Sequence, residues 1–126
     1  MADMQPLAFI IEDDKNLAHA FGQAMTEADY QVEVIRDGHQ ALKRLREENP
    51  QTVVLDLHIP FLNGEELLNY IRLDQRLSET KVIITTADER RGEELREKAD
   101  LVLIKPIGFR QLRDLAYRFH PDYEET

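Results

Sequence analysis

Five short apolar runs, each separated from the next by a stretch of helical periodicity, restrict this chain to a narrow set of folds. They are LAFII (7–11), QVEVI (31–35), TVVLDL (52–57), KVIITT (81–86) and LVLIK (101–105). β-Branched residues are frequent in them and charge, Gly or Pro bounds them, as in strands buried within a sheet. Leu17, Phe21, Met25 and Ala28 form the stripe of a first intervening helix, with Asp14 placed as its N-cap. Ala41, Leu42 and Leu45 face inward on a second, which Pro50 stops. A third begins after Asn63-Gly64 and carries Leu67, Leu68 and Ile71. A fourth, over 89–99, is highly charged and has only Leu95 and Ala99 as apolar anchors. The fifth carries Phe109, Leu112, Leu115, Ala116 and Phe119. Five β-α alternations imply right-handed crossovers onto a parallel sheet with helices on both faces. The expectation is an α/β, doubly wound, five-stranded parallel sheet. It forms a single domain over 1–126, with a core from about 7 to 119 and a tail, 120–126, that frays.

The 126 residues suffice for one well-buried core. A net charge of −9 argues against direct binding to nucleic acid or to an anionic membrane surface. The absence of cysteine excludes disulfides, zinc–cysteine sites and thiol nucleophiles. The opening MADMQPLAFIIEDD lacks the basic and apolar regions of a signal peptide, and no apolar run reaches membrane-spanning length. A soluble, cytoplasmic protein is expected.

Ligands of such sheets bind at the carboxyl ends of the strands. Read in order, those ends carry Glu12-Asp13-Asp14, Asp56, Thr85-Thr86 and Lys105-Pro106. Asp56 closes the apolar run VVL, and a buried carboxylate is costly unless paired, hydrogen-bonded or metal-bound. A divalent cation and a lysine in its neighbourhood would offset that cost. Hard oxygen ligands suit Mg²⁺. Such an ion neutralises phosphoryl oxygens, Lys105 supplies a point charge for another, and a strand-4 hydroxyl supplies a donor. Asp56 would then be a nucleophile that forms an aspartyl phosphate. Taken singly, each piece has a plainer reading: a capping acid, an Asp satisfied by backbone N–H groups, threonines favoured by strand propensity, a Lys-Pro exit turn. Their joint occurrence at four strand ends favours the functional reading.

These residues resemble the receiver domains of two-component response regulators, over residues 7 to about 119. FIIEDD is similar to the family's first-strand acidic pair, at Glu12 and Asp13. LDLHIPFLNG resembles its phosphorylation loop, with Asp56 as phosphoacceptor, followed by Pro60 and Asn63-Gly64. ITTA puts the family's hydroxyl at Thr86, and IKP its lysine at Lys105, before a cis proline bond. The resemblance implies the flavodoxin-like strand order 2-1-3-4-5. It implies Mg²⁺ held by Asp13, Asp56 and the backbone carbonyl of His58, with Glu12 reaching it through water. It further implies a phosphohistidine donor on a sensor histidine kinase or phosphotransfer protein, and a downstream protein partner whose identity stays open, as does homodimerisation. By the same resemblance the chain is a signalling protein rather than an enzyme, even if it dephosphorylates itself.

Two departures stand out. The family's usual aromatic three positions before the lysine is Val102, and only 19 positions separate Thr86 from Lys105, fewer than is usual. The fourth helix is therefore expected to be short or irregular. A receiver-fold interaction module that does not use phosphorylation is the alternative. A Mg²⁺-dependent aspartyl-phosphate phosphatase would want an acid two residues after Asp56, where His58 stands. The lone Ser78 and the absence of a P-loop or GxGxxG argue against other hydrolase and nucleotide sites. His19, His39 and His120 read as surface histidines, and the KRLR run (43–46) and Arg90-Arg91 as solvated helix faces.

Overall fold

The computed structural model describes residues 5–124. Its elements run β1 (Leu7–Ile11), α1 (Lys15–Glu27), β2 (Gln31–Ile35), α2 (Gly38–Glu47), β3 (Thr52–Asp56), α3 (Gly64–Leu73), β4 (Lys81–Thr86), α4 (Glu89–Glu94), β5 (Leu101–Ile104) and α5 (Phe109–Arg118). All four strand pairings are parallel, and the order is β2-β1-β3-β4-β5. This is the doubly wound sheet of order 2-1-3-4-5 expected from the sequence.

Period-two alternation divides the strand side chains between two apolar layers. Phe9, Ile11, Val53, Leu55, Val82, Ile84 and Val102 pack against α2, α3 and Leu95. Ala8, Ile10, Val54, Ile83 and Leu103 pack against α1 and α5 through Phe21, Met25, Leu112 and Ala116. Four helices start where an Asx carboxyl or amide oxygen accepts a backbone N–H of the first turn. Asp14 takes that of Leu17, Asp37 that of Gln40, Asn63 that of Glu66 and Asp88 that of Arg91. These caps fix where the chain leaves each strand end, and so where the loops of the site lie.

The third and fifth strands stop at Asp56 and Ile104, one residue earlier than the apolar runs predict. The fourth helix is one and a half turns long, and residues 95–98 follow as turns. Leu95, almost fully buried, is its single large anchor. A Cβ at Gly92 would stand 2.9 Å from Val102 Cγ1 and 3.2 Å from Thr86 Cγ2, so only glycine lets α4 lie this close to β4 and β5.

Two expectations need correction. His120 is buried rather than at the surface: Nε2 lies 3.0 Å from the Asp29 carbonyl, Nδ1 accepts the Asp122 N–H, and the ring meets Tyr30 edge-on. These bonds tie the chain down as far as Tyr123, whose N–H reaches the His120 carbonyl; fraying beyond Glu124 lies outside the described residues. The runs around Arg44 and Arg91 are not simply solvated either. Arg44 crosses from α2 to bind Glu33 of β2 through two hydrogen bonds of 2.6 and 2.8 Å, and Arg91 joins α4 to Glu65 of α3.

Candidate functional site

The acids arrive at one place because parallel strands end at one edge. Glu12 continues β1 past Ile11, and Asp56 ends β3 one step beyond Leu55, the register partner of Ile11. Glu12 and Asp56 are buried, whereas Asp13 is exposed, and one carboxylate oxygen from each lies within 4.8 Å of the others. Lys105 reaches in from the end of β5. Its Nζ donates to Glu12 Oε1 at 2.9 Å and stands 3.4 Å from Asp56 Oδ2. The Lys105–Pro106 peptide is cis, as the resemblance implies.

The Lys105 ammonium thus faces two buried carboxylates, with that of Asp13 beside them. Burial pushes the Glu12 carboxyl above its usual range, and the neighbouring Asp56 adds to that, although Lys105 and the Asp14 N–H act the other way. Burial by itself would pull the Lys105 ammonium down, but the bond to Glu12 and the charge of Asp56 outweigh it and hold it above the usual lysine value. Excess buried negative charge among hard oxygen donors fits a small divalent cation such as Mg²⁺, and receiver domains bind that ion at an acidic pocket.

The loop after Asp56 is pinned by close backbone contacts. The His58 N–H donates to Asp56 Oδ1 at 3.1 Å, and the Gly64 N–H donates to the Leu57 carbonyl. A Cβ at Gly64 would lie 2.6 Å from the Asp56 carbonyl oxygen, so α3 begins against the chain of the site itself. The His58 side chain is exposed, and its backbone stands beside Asp56. Thr86, fully buried, accepts the Asp88 N–H on its hydroxyl at 3.0 Å. Its methyl lies beside Gly92, on the α4 side of the sheet. Thr85, one residue earlier, is also fully buried, and its hydroxyl is the one buried side-chain polar atom without a partner among the described residues.

Two arginines also shape the site: Arg36, which no sequence pattern marks, and Arg91, expected on a solvated helix face. Arg36 donates through Nε and Nη2 to the Asp13 carbonyl, at 3.1 and 2.7 Å, and so anchors the acidic loop. Arg91 lines a cavity of about 170 Å³ beside the phosphorylation-type loop, together with Leu57, His58, Asn63 and Glu65. Bonds from a side chain to a distant carbonyl or carboxylate follow no periodicity, so no pattern in the sequence announces them.

Comparison with known proteins bears on the whole of this arrangement. The family model of the response regulator receiver domain matches residues 8–117. Regulatory protein VanRB of Enterococcus faecalis is 31% identical over 106 residues, covering 82% of this chain and 47% of its own. Sensor histidine kinase TmoS of Ectopseudomonas mendocina is 30% identical over 112 residues, covering 86% of this chain and 11% of the kinase. The chain spans about half the length of the curated response regulators it matches, VanRB and ArlR among them. Among solved structures, a BeF3-activated DrrB receiver domain superposes with a TM-score of 0.82 at 27% identity, covering 92% of this chain and 97% of that one. The signal receiver domain of a LuxO-type repressor from Vibrio parahaemolyticus gives 0.79 at 28%, covering 91% and 92%.

Proposed function

The chain belongs to the response regulator receiver family, and on that premise we propose that it takes a phosphoryl group onto Asp56. The observation that carries this reading is the meeting of Glu12, Asp13 and Asp56 within 4.8 Å, with the Lys105 ammonium the one cation set against the buried pair among the described residues. The donor is the phosphohistidine of a sensor histidine kinase or phosphotransfer protein. Attack by an Asp56 carboxylate oxygen forms the O–P bond as the N–P bond breaks, and the imidazole leaves with the electron pair and takes a proton.

Asp13, Asp56 and the backbone carbonyl of His58 would hold Mg²⁺, with Glu12 acting through water. The ion, when bound, neutralises charge on the phosphoryl oxygens. The residues of the chain do the rest. The His58 N–H orients the Asp56 carboxylate. Lys105, already 3.4 Å from Asp56, neutralises a second phosphoryl oxygen. Thr86 supplies a hydroxyl to a third after giving up the Asp88 N–H. The output is a change in contacts with a downstream protein, made through α4 and the loops around it.

Incubation with acetyl phosphate and Mg²⁺, followed by intact mass measurement, tests the reading. The expected result is one phosphoryl adduct, absent in Asp56→Asn, which keeps the size of the side chain and removes the nucleophile. Labelling that persists in Asp56→Asn overturns the assignment.

A further inference from the structure

The two threonines that close β4 point to opposite faces of the sheet, and only one of them has a partner. Thr86 accepts the Asp88 N–H, while the Thr85 hydroxyl has no hydrogen bond among the described residues although the residue is completely buried. Alternation places Thr85 on the face of Ile83, in the layer that includes Ile10, Val54 and Leu103. Its register neighbour on β3 is Asp56, which follows Val54 on the same face. Glu12, which follows Ile10, stands one strand further across. Glu12, Asp56 and Thr85 therefore form a row over β1, β3 and β4. Lys105 starts at the end of β5, beyond Thr86 and Ile104, yet its ammonium bonds Glu12 on the far side of the row. In the order β1-β3-β4-β5 its stem has to cross β4, on the face that carries Thr85.

An ammonium has three N–H donors. Glu12 and Asp56 face two of them in the resting protein. We propose that Thr85 is a positioning residue for Lys105. Its hydroxyl accepts an N–H of the ammonium when Glu12 turns toward a bound cation and Asp56 carries the phosphoryl group, and this holds the ammonium against a phosphoryl oxygen. The proposal rests on the phosphoacceptor reading of Asp56. It explains why a hydroxyl is kept where a valine of the same shape would leave no unsatisfied oxygen. A buried polar group without a partner lowers resting stability, a cost that functional sites commonly carry.

Thr85→Val and Thr85→Ser, made in the whole chain, separate this role from a structural one. Two quantities are read: thermal unfolding without metal, and the rate of labelling by acetyl phosphate with Mg²⁺. Thr85→Val is expected to raise the metal-free Tm by about 2–4 °C, since the orphaned hydroxyl is gone. It should at the same time slow labelling roughly tenfold, the effect of one lost hydrogen bond. Thr85→Ser keeps the hydroxyl and should label within about twofold of the wild type, a partial loss at most. Labelling of Thr85→Val at the wild-type rate overturns the proposal, as does slowed labelling that Thr85→Ser shares in full. A wild-type chain that takes no label at all is a different result: it removes the phosphoacceptor reading, and the role of Thr85 with it.

Discussion

Lys105 lies nearer to Glu12 than to Asp56, 2.9 Å against 3.4 Å, so the resting counter-ion of the lysine is the first-strand acid rather than the strand-3 carboxylate. Removing the ammonium would leave two buried carboxylates facing each other. Breaking a buried pair from one side costs about 3–5 kcal/mol. Partial exposure of Lys105 reduces that, so Lys105→Met is expected to lose roughly 2–3 kcal/mol in metal-free urea unfolding. Addition of Mg²⁺ should return much of the loss. A Lys105→Met chain as stable as the wild type without metal would mean that the pair does not hold the acids in place.

Mg²⁺ should stabilise the wild-type chain. The raised Glu12 carboxyl is penalised when ionised, so its cost to the fold appears as pH rises through the ordinary carboxylate range and is complete above the raised value. At neutral pH that cost is present, and a bound cation relieves it. A ligand bound only by the folded state adds RT ln(1 + [L]/Kd), about 1–2 kcal/mol at roughly tenfold excess over Kd. Asp13→Ala should remove one like charge and abolish most of the response. A Tm that still rises by the same amount with Mg²⁺ in Asp13→Ala puts the ion elsewhere.

Alkaline pH should unfold the protein through two groups whose pKa values are raised. Burial lifts Tyr30 to about 12, and its hydroxyl donates to the Ala116 carbonyl. Lys105 is raised as well. For both, the stabilisation is complete below the unfolded-state value and is lost as pH climbs through the folded one. For Tyr30 stability should therefore fall between about pH 10 and 12, by roughly 2–3 kcal/mol, and for Lys105 above the ordinary lysine value. Tyr30→Phe, measured by unfolding across that range, should start less stable and show a shallower alkaline decline.

Short apolar runs bounded by charge, Gly or Pro were enough to find all five strands to within a residue, and period 3.6 to find the helices between them. The strand ends then put Glu12, Asp56 and Lys105 in one place by topology alone. What stayed hidden depends on contacts between residues far apart in the chain. His120 is buried by Asp29 and Tyr30, about ninety positions away, and no local pattern shows it. Arg72 joins α3 to the carbonyls of Thr80 and Lys98 and to Asp100, although as a sequence it is one charge among many. Thr85 looked like an ordinary strand residue, and only its missing hydrogen bond marks it out. The short fourth helix was legible as a lack of apolar anchors; the reason it still packs, a glycine lying on Val102, was not.

That glycine yields a packing prediction. Ala is a better helix former than Gly by about 1 kcal/mol, so on propensity alone Gly92→Ala would stabilise α4. The new methyl, however, meets Val102, Thr86 and Ile104 at 2.9–3.3 Å. Overpacking of this kind costs about 1–3 kcal/mol. A net loss of stability is expected, reversed at least in part by adding Val102→Ala. The coupling is read from a double-mutant cycle of urea unfolding. Simple additivity of the two changes would show that α4 does not rest on Val102.

The same contacts set how the fourth helix responds to the site. Val102 is short and stiff at χ1, so it has no ring to swing between two positions. The link from the strand-4 hydroxyl to α4 is more direct: Thr86 accepts the N–H of Asp88, and Asp88 in turn caps α4 through the Arg91 N–H. If Thr86 turns toward a phosphoryl group on Asp56, the Asp88 N–H loses its acceptor and the cap is disturbed. Six helical residues with Leu95 as the main anchor hold little to resist that, and segments with few buried contacts open first. Arg91 pulls the other way: it bonds Glu65, which ties the helix to α3, and Glu94 within α4. Addition of beryllofluoride and Mg²⁺ should therefore change amide hydrogen exchange across 87–100, most at Asp88 and in α4, and Arg91→Ala should enlarge the change. Protection changes confined to residues 56–64, with 87–100 unaffected in both chains, would show that the fourth helix does not carry the signal.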